Sequence, residues 1–325
     1  MVGSRLLGLV LSAAAIALLA WAVPVVAGAR WTEVAAALRH VGTARVLLLC
    51  TLWGLGLWTY TFVLSAALPG LTRRRALLVN CVGSAVSNLF PLGGTAGVAV
   101  TYSMARHWGH PPRAIGVFTV LTGVCNVLAR LVVSVAGALA LARSAVPGMG
   151  RAAVAGVSVL LLLPPALLAV ARRRAPGRHD GPGLLPRARR WTARFREDCR
   201  DLVRTAWPAL AAGMTATLAA QALLFWACLH AAGVRTSAAD VLAVFAASRL
   251  LTQIGLTPGG IGVTESAATY ALVTLGGAPA AVAAGVLLYA AFTHLMEIPA
   301  GALAGALWLW RRGRGPVPVP GRAQV

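Results

Sequence analysis

Two long apolar runs of this chain are interrupted in mid-run by proline and glycine. The first reads Ser87-Asn88-Leu89-Phe90-Pro91-Leu92-Gly93-Gly94-Thr95-Ala96-Gly97. The second reads Thr252-Gln253-Ile254-Gly255-Leu256-Thr257-Pro258-Gly259-Gly260-Ile261-Gly262-Val263-Thr264-Glu265. Such breaks free backbone N–H and C=O groups, and hydrocarbon has no water to bond them. They survive in a membrane only where protein or a wet cavity covers them. A matched pair of breaks, one in each half of a chain, points to a binding site near the bilayer midplane.

That these runs belong in a membrane follows from the composition. Of the 325 residues, 58% are hydrophobic and only 11% charged, against about 25% charged in soluble domains. The 35 glycines suit helices that must approach closely without a water-driven core. Apolar runs long enough to span lie near 6–28, 45–68, 114–142, 152–171, 206–232 and 279–310. The first has a short basic start like a signal peptide, but it is long for one and many spans follow, so it reads as a retained helix.

The broken regions 76–107 and 237–276 remain. Segments 76–90 and 97–107 would measure about 22 and 16 Å as helices. Neither crosses ~30 Å of hydrocarbon, so each broken region is expected to be a re-entrant hairpin. Segment 237–256 is long enough to span alone, which leaves the second hairpin open. The expected fold class is therefore all-α integral membrane: a polytopic bundle of about six full spans with two Pro/Gly-broken re-entrant hairpins. It reads as a single transmembrane domain over 1–325. Its parts are a first half (1–171), a cytoplasmic basic loop (172–204), a second half (205–311) and a disordered tail (312–325).

Arginine placement orients the bundle. All 29 basic residues are arginine. With the N-terminus in the cytoplasm, Arg5, Arg73–Arg75, Arg106, Arg113, the arginines of 172–204 and Arg311, Arg312, Arg314 and Arg322 lie inside. Arg30, Arg39, Arg45, Arg143, Arg151 and Arg235 lie outside, which obeys the positive-inside rule. The first hairpin then dips from the cytoplasm and the second from outside, as an inverted repeat would place them. The expected location is the inner or plasma membrane, multi-pass, with both termini cytoplasmic. Residues 188–204 form a candidate basic surface helix. The plain role of 172–204 is topogenic, and the sharper one is binding of anionic lipid. Segment 31–41 is a candidate outer interfacial helix.

The net charge of +21 does not point to nucleic acid, because the basic residues sit between apolar runs and form no aromatic-interleaved patch. The five cysteines form no CxxC pair, so no disulfide, metal or other cofactor is expected. HExxH, GxSxG and GxxxxGK[ST] are all missing. The few carboxylates form no close pair, and no catalytic residue is assigned.

The polar residues inside apolar runs are the candidate ligand contacts. Arg130 lies mid-way along 114–142, where a charge must face the bundle or a cavity, and Asn126 shares its helix face. It reads either as a clamp for a lipid phosphate or as a structural arginine. His294 and Glu297 lie one turn apart in the last span. Glu297 is the natural partner for Arg130 or Arg249, or a proton-coupling carboxylate with His294 as relay. Glu265 falls in the first turn after the second break, where it caps a helix or meets a cationic headgroup or proton; Thr257 or Thr264 is placed to help cap. Arg249 and Gln253 share a face and either pair with Glu265 or line the same cavity. Asn88 satisfies the first break or faces a headgroup. Pro91, Gly93 and Gly94, with Pro258, Gly259 and Gly260, serve the turns or touch ligand.

At these motifs the chain resembles the flippase-like transmembrane domain of lysylphosphatidylglycerol synthases and their stand-alone relatives, over roughly residues 10–310. The matching residues are Pro91-Leu92-Gly93-Gly94 with Gly97, then Trp108-Gly109, then Thr122-Gly123-Val124 with Asn126 and Arg130-Leu131. Later come Pro258-Gly259-Gly260-Ile261-Gly262-Val263 with Glu265, and Ile298-Pro299 with Gly301. The resemblance implies a bundle with re-entrant helices that moves or handles lipids, either aminoacylated phosphatidylglycerol or polyprenyl-phosphate intermediates. The aminoacyl-transferase domain of full synthases has no counterpart in these residues, so aminoacylation is not carried over. The chain also departs after Tyr289, where Ala290 and Ala291 stand instead of the arginine common in relatives.

The expected function is thus binding and translocation of a phospholipid or lipid-linked headgroup, with membrane lipids as partners. The rivals are a non-transporting partner of a cytoplasmic glycosyltransferase or aminoacyl-transferase, and an intramembrane lipid-modifying enzyme.

Overall fold

The computed structural model describes residues 17–89, 93–142, 185–253 and 262–312. Among these the chain is all-helical. The elements are α1 (Ala17–Ala27), α2 (Trp31–Arg39), α3 (Thr43–Ala67), α4 (Arg73–Leu89), α5 (Gly93–His107), α6 (Pro112–Ala142) and α7 (Leu185–Ala231). Then follow α8 (Ala238–Ser248), a 3₁₀ turn (Leu251–Gln253), α9 (Val263–Thr274), α10 (Pro279–Ala290), a π turn (Ala291–Leu295) and α11 (Glu297–Arg312). The expected span 152–171, the tail and most of loop 172–204 lie outside the described residues.

Among the described residues, four helices are long and apolar enough to cross a membrane: α3, α6, Arg194–Ala231 of α7, and the continuous run Pro279–Arg312 formed by α10, the π turn and α11. Only 17% and 22% of the apolar windows of α3 and α6 are buried in the protein, which leaves most of their surface for lipid. Leu47, Leu128, Val132 and Leu303 are among the apolar side chains left on the outside.

Both broken regions form helix pairs. In the first, α4 packs against α5, and their free ends meet, with the Arg75 guanidinium over the Trp108 ring at 5.3 Å. In the second, α8 packs against α9, and Thr236 before α8 lies beside Gly277 after α9. Of segment 237–256, residues 254–256 lie outside the described residues. α8 stops at Ser248 after 11 residues, about 17 Å, and tightens into the 3₁₀ turn.

The two pairs open at opposite ends of α3. Arg73 stacks on Phe62, near the C-terminal end of α3, at 3.4 Å. At the other end, Arg45 donates to the Ala231 carbonyl at 3.3 Å, close to where α8 begins. The basic segment 188–204 is helical but does not stand apart; it runs unbroken through Pro208 into the span that follows. Arg113 forms an ion pair with Asp198 and donates to the Arg194 carbonyl at 2.8 Å, which ties this segment to the start of α6. Segment 31–41 is helical over Trp31–Arg39, as α2.

Pro299 does not break the last span. Proline lacks the N–H and crowds the preceding turn, and the helix widens just before it: Met296 N–H bonds the Ala291 carbonyl, five residues back, at 2.9 Å. Two large apolar clusters, with a small third one at Ala138 and Leu250, form the core among the described residues. One gathers Leu49, Phe225, Val244, Phe245, Val282 and Tyr289. The other gathers Val63, Leu68, Ile115, Phe118, Leu210 and Met214.

Close approach at glycine fixes the helix pairs. A Cβ at Gly301 of α11 would collide with Ala85 and lie 2.5 Å from the Cys81 carbonyl oxygen of α4. A Cβ at Gly305, one turn on, would meet only Val82 at 3.8 Å. Overpacking costs about 1–3 kcal/mol, more than the ~1 kcal/mol that alanine gains over glycine in a helix. Gly301→Ala should therefore lower the melting temperature in detergent by several degrees, whereas Gly305→Ala should leave it unchanged or raise it.

Candidate functional site

Between the two apolar clusters lies a cavity of about 570 Å³. Its walls come from α3 (Trp53, Tyr60), α4 (Asn80, Ser84, Asn88), α6 (Asn126, Arg130), α7 (Thr217, Gln221), α8 with its 3₁₀ turn (Arg249, Thr252), α9 (Glu265) and the last span (Tyr289, His294, Glu297). Both broken regions thus contribute to one space.

Five basic or acidic side chains, Arg130, Arg249, Glu265, His294 and Glu297, line it. Arg130 and Arg249 belong to α6 and to the end of α8, two helices that pack together. A Cβ at Gly137 of α6 would lie 2.5 Å from the Ala247 backbone nitrogen, which shows how close these backbones run. Arg130 donates through Nη1 to Thr252 Oγ1 at 3.0 Å, and Thr252 donates in turn to the Arg249 carbonyl at 2.6 Å. Arg249 is buried. Its Nη1 reaches the Tyr289 hydroxyl at 3.5 Å, its guanidinium lies 4.5 Å from the Phe245 ring centroid, and its Nε has no hydrogen-bond partner. Neither arginine pairs with a carboxylate among the described residues.

The acids have partners of their own. Gly262, at φ +91°, ends the second break in a conformation open to glycine. Its N–H donates to Glu265 Oε2 at 2.7 Å, so Glu265 caps α9. Glu265 Oε1 faces His294 Nε2 at 3.2 Å. Glu297 Oε2 accepts from Asn88 Nδ2 at 2.9 Å, which joins the last turn of α4 to the start of α11.

These contacts correct several expectations. Glu297 is the partner of neither Arg130 nor Arg249; it bonds the neutral Asn88. Glu265 bonds Gly262 and His294, not Arg249. The cap role falls to Glu265, while the Thr264 hydroxyl is buried without a partner. Asn126 shares the cavity with Arg130, as their common face required, but it donates to the Tyr60 hydroxyl at 2.6 Å. Gly94 lines the cavity. Gly93 begins α5, and Gln253 ends the 3₁₀ turn. Pro91, Pro258, Gly259, Gly260 and Thr257 lie outside the described residues.

Tyr60, Thr217, Gln221, Thr252 and Tyr289 line the cavity and were missed. Polar side chains within otherwise apolar spans were the signal, and Gln221 in 206–232 was the clearest of them. Thr252 was in view as part of the second break, but its bond to Arg130 depends on the 3₁₀ turn, which has no sequence mark.

A family model described as the lysylphosphatidylglycerol synthase TM region matches residues 5–301. The chain belongs to this family. It is accordingly a membrane protein, in keeping with its apolar helices. A search of curated proteins finds no match.

Because Glu265 holds both the Gly262 N–H and His294, Glu265→Ala should destabilise the protein by about 1–3 kcal/mol. Glu265→Gln keeps an oxygen for the Gly262 N–H and should cost less. Thermal unfolding in detergent measures both.

Proposed function

We propose that the chain binds the phosphate of a lipid headgroup between Arg130 and Arg249 and carries that headgroup across the membrane. One observation carries this reading: two guanidiniums line an internal cavity and neither meets a carboxylate among the described residues. An arginine at a helix centre costs about 2.5–3.5 kcal/mol on insertion scales, and a pair facing one cavity also repel each other. A phosphate answers both, since guanidinium binds it through paired N–H donors. The family name adds a lipid context. The lipid class stays as broad as the chemistry: a phospholipid, aminoacylated or not, or a polyprenyl phosphate.

The helix pairs supply the frame for transport. We read them as re-entrant hairpins that enter from opposite leaflets and meet at the cavity, an arrangement an inverted repeat produces. The arginine-rich end carries Arg73–Arg75, Arg106, Arg113 and, through the contact of His107 with Trp308, Arg311 and Arg312. The positive-inside rule makes that end cytoplasmic, with both termini there and the chain in the cell membrane.

Headgroup movement in reconstituted vesicles tests the reading. Arg130→Ala and Arg249→Ala should each slow translocation of a fluorescent phospholipid by about 10- to 100-fold, as expected for lost hydrogen bonds to a charged group. Removing residues 175–184, in the basic loop, should leave the rate unchanged. The reverse ranking would favour a docking platform for a cytoplasmic transferase over a carrier.

A further inference from the structure

The two arginines account for an anion and leave the carboxylates of the same cavity to be explained. Glu265 is fully engaged, with one oxygen on the Gly262 N–H and the other on His294. Glu297 is different. It is held by the Asn88 amide and the Ser84 hydroxyl, both neutral, and no cation pairs with it among the described residues. The titratable and charged groups around it are His294 and Tyr289 on its own span, Tyr60 on α3, Cys81 on α4, Arg130 on α6, Arg249 on α8 and Glu265 on α9. From α7 come the neutral Thr217 and Gln221, with Cys228 near Tyr289. Glu297 is half-buried on the cavity wall, so its charge loses part of its hydration, and the alternative is to hold a proton.

We propose that Glu297 is a proton-binding residue and that anion binding at Arg130 and Arg249 drives proton uptake there. The inference rests on the phosphate reading above and adds a second ligand to it. The sign follows from charge: a phosphate entering the cavity that Glu297 also lines disfavours a second negative charge there, so the proton moves from water onto the carboxylate. His294 is built to pass it. The π turn carries the imidazole one turn from Glu297, its Nε2 is fixed against Glu265, and its Nδ1 is buried without a partner. The chain Asn88–Glu297, then His294–Glu265, joins the inner ends of both helix pairs through the last span. A proton placed there acts at the junction between them.

The experiment is calorimetric titration of the full chain in detergent with short-chain phosphatidylglycerol, whose phosphodiester keeps one charge between about pH 6 and 8. Two buffers with different heats of ionisation report the protons exchanged on binding. The wild-type protein should take up protons as lipid binds, and its affinity should fall with rising pH, by up to about tenfold per pH unit. Glu297→Gln keeps an oxygen for Asn88 and should still bind, without uptake and with a flat pH profile. Wild-type binding with no proton exchange at any pH in this range overturns the inference and leaves the phosphate reading standing. Uptake that persists in Glu297→Gln also overturns it. Should that variant not fold, the wild-type proton count decides alone. Failure of the wild type to bind the lipid at any pH removes the phosphate reading and this inference together.

Discussion

Every charge placed among membrane helices must be met inside the protein, because lipid offers it nothing. In this chain that requirement gathers Arg130, Arg249, Glu265, His294 and Glu297 around one cavity. The fold can be understood from that convergence. α6 and α8 must pack closely to bring the two arginines to one wall, and Gly137 permits it. The last span must turn His294 and Glu297 inward together, and the π turn before Pro299 does so. The first helix pair must end beside Glu297, and Asn88 makes that contact.

The apolar clusters on either side of the cavity have the complementary task. Met214 and Leu218 belong to one cluster and Leu224 and Tyr289 to the other, and all four also line the cavity. The polar space is thus walled by the packed core itself. Dispersion and small-residue contacts, rather than exclusion of water, hold such helices together. This is why single glycines such as Gly301 and Gly137 carry weight that a soluble core would spread over many side chains.

Much of this was legible in the sequence, for identifiable reasons. The spans at 45–68, 114–142 and 206–232 follow from uninterrupted apolar length, which has few other solutions in a membrane. Both paired regions follow from proline and glycine placed where a helix could not continue. Arg130, Arg249, Glu265, His294 and Glu297 stand out because charge is rare in such runs, and all of them line the cavity. What sequence reasoning could not reach is which of them touch. Pairing by opposite charge put Glu297 with an arginine, yet partner choice depends on the rotation of α11 against α4, set by Gly301, Ala85 and Cys81. The π turn was hidden for the same reason, since Pro299 signals a disturbance without saying how the helix absorbs it. The continuity of 188–204 with the next span was missed because the change from basic to apolar composition reads as a boundary, whereas the helix runs on through it.

That neither arginine meets a carboxylate among the described residues also bears on how the proposed site would work. Had Glu297 paired with Arg130 or Arg249, the result would be a lock: two helices pinned by mutual neutralisation, with nothing left to bind. A buried ion pair roughly repays its own desolvation, so a lock is also the less costly arrangement for a protein that needs only to fold. Here Arg130 is met by the Thr252 hydroxyl, Arg249 by a tyrosine hydroxyl and two aromatic faces, and Glu297 by an amide and a hydroxyl. Neutral partners orient charged groups without cancelling them. Such a cavity keeps the charges of Arg130, Arg249 and Glu297 uncancelled among the described residues, which is what the proposed phosphate and proton would answer.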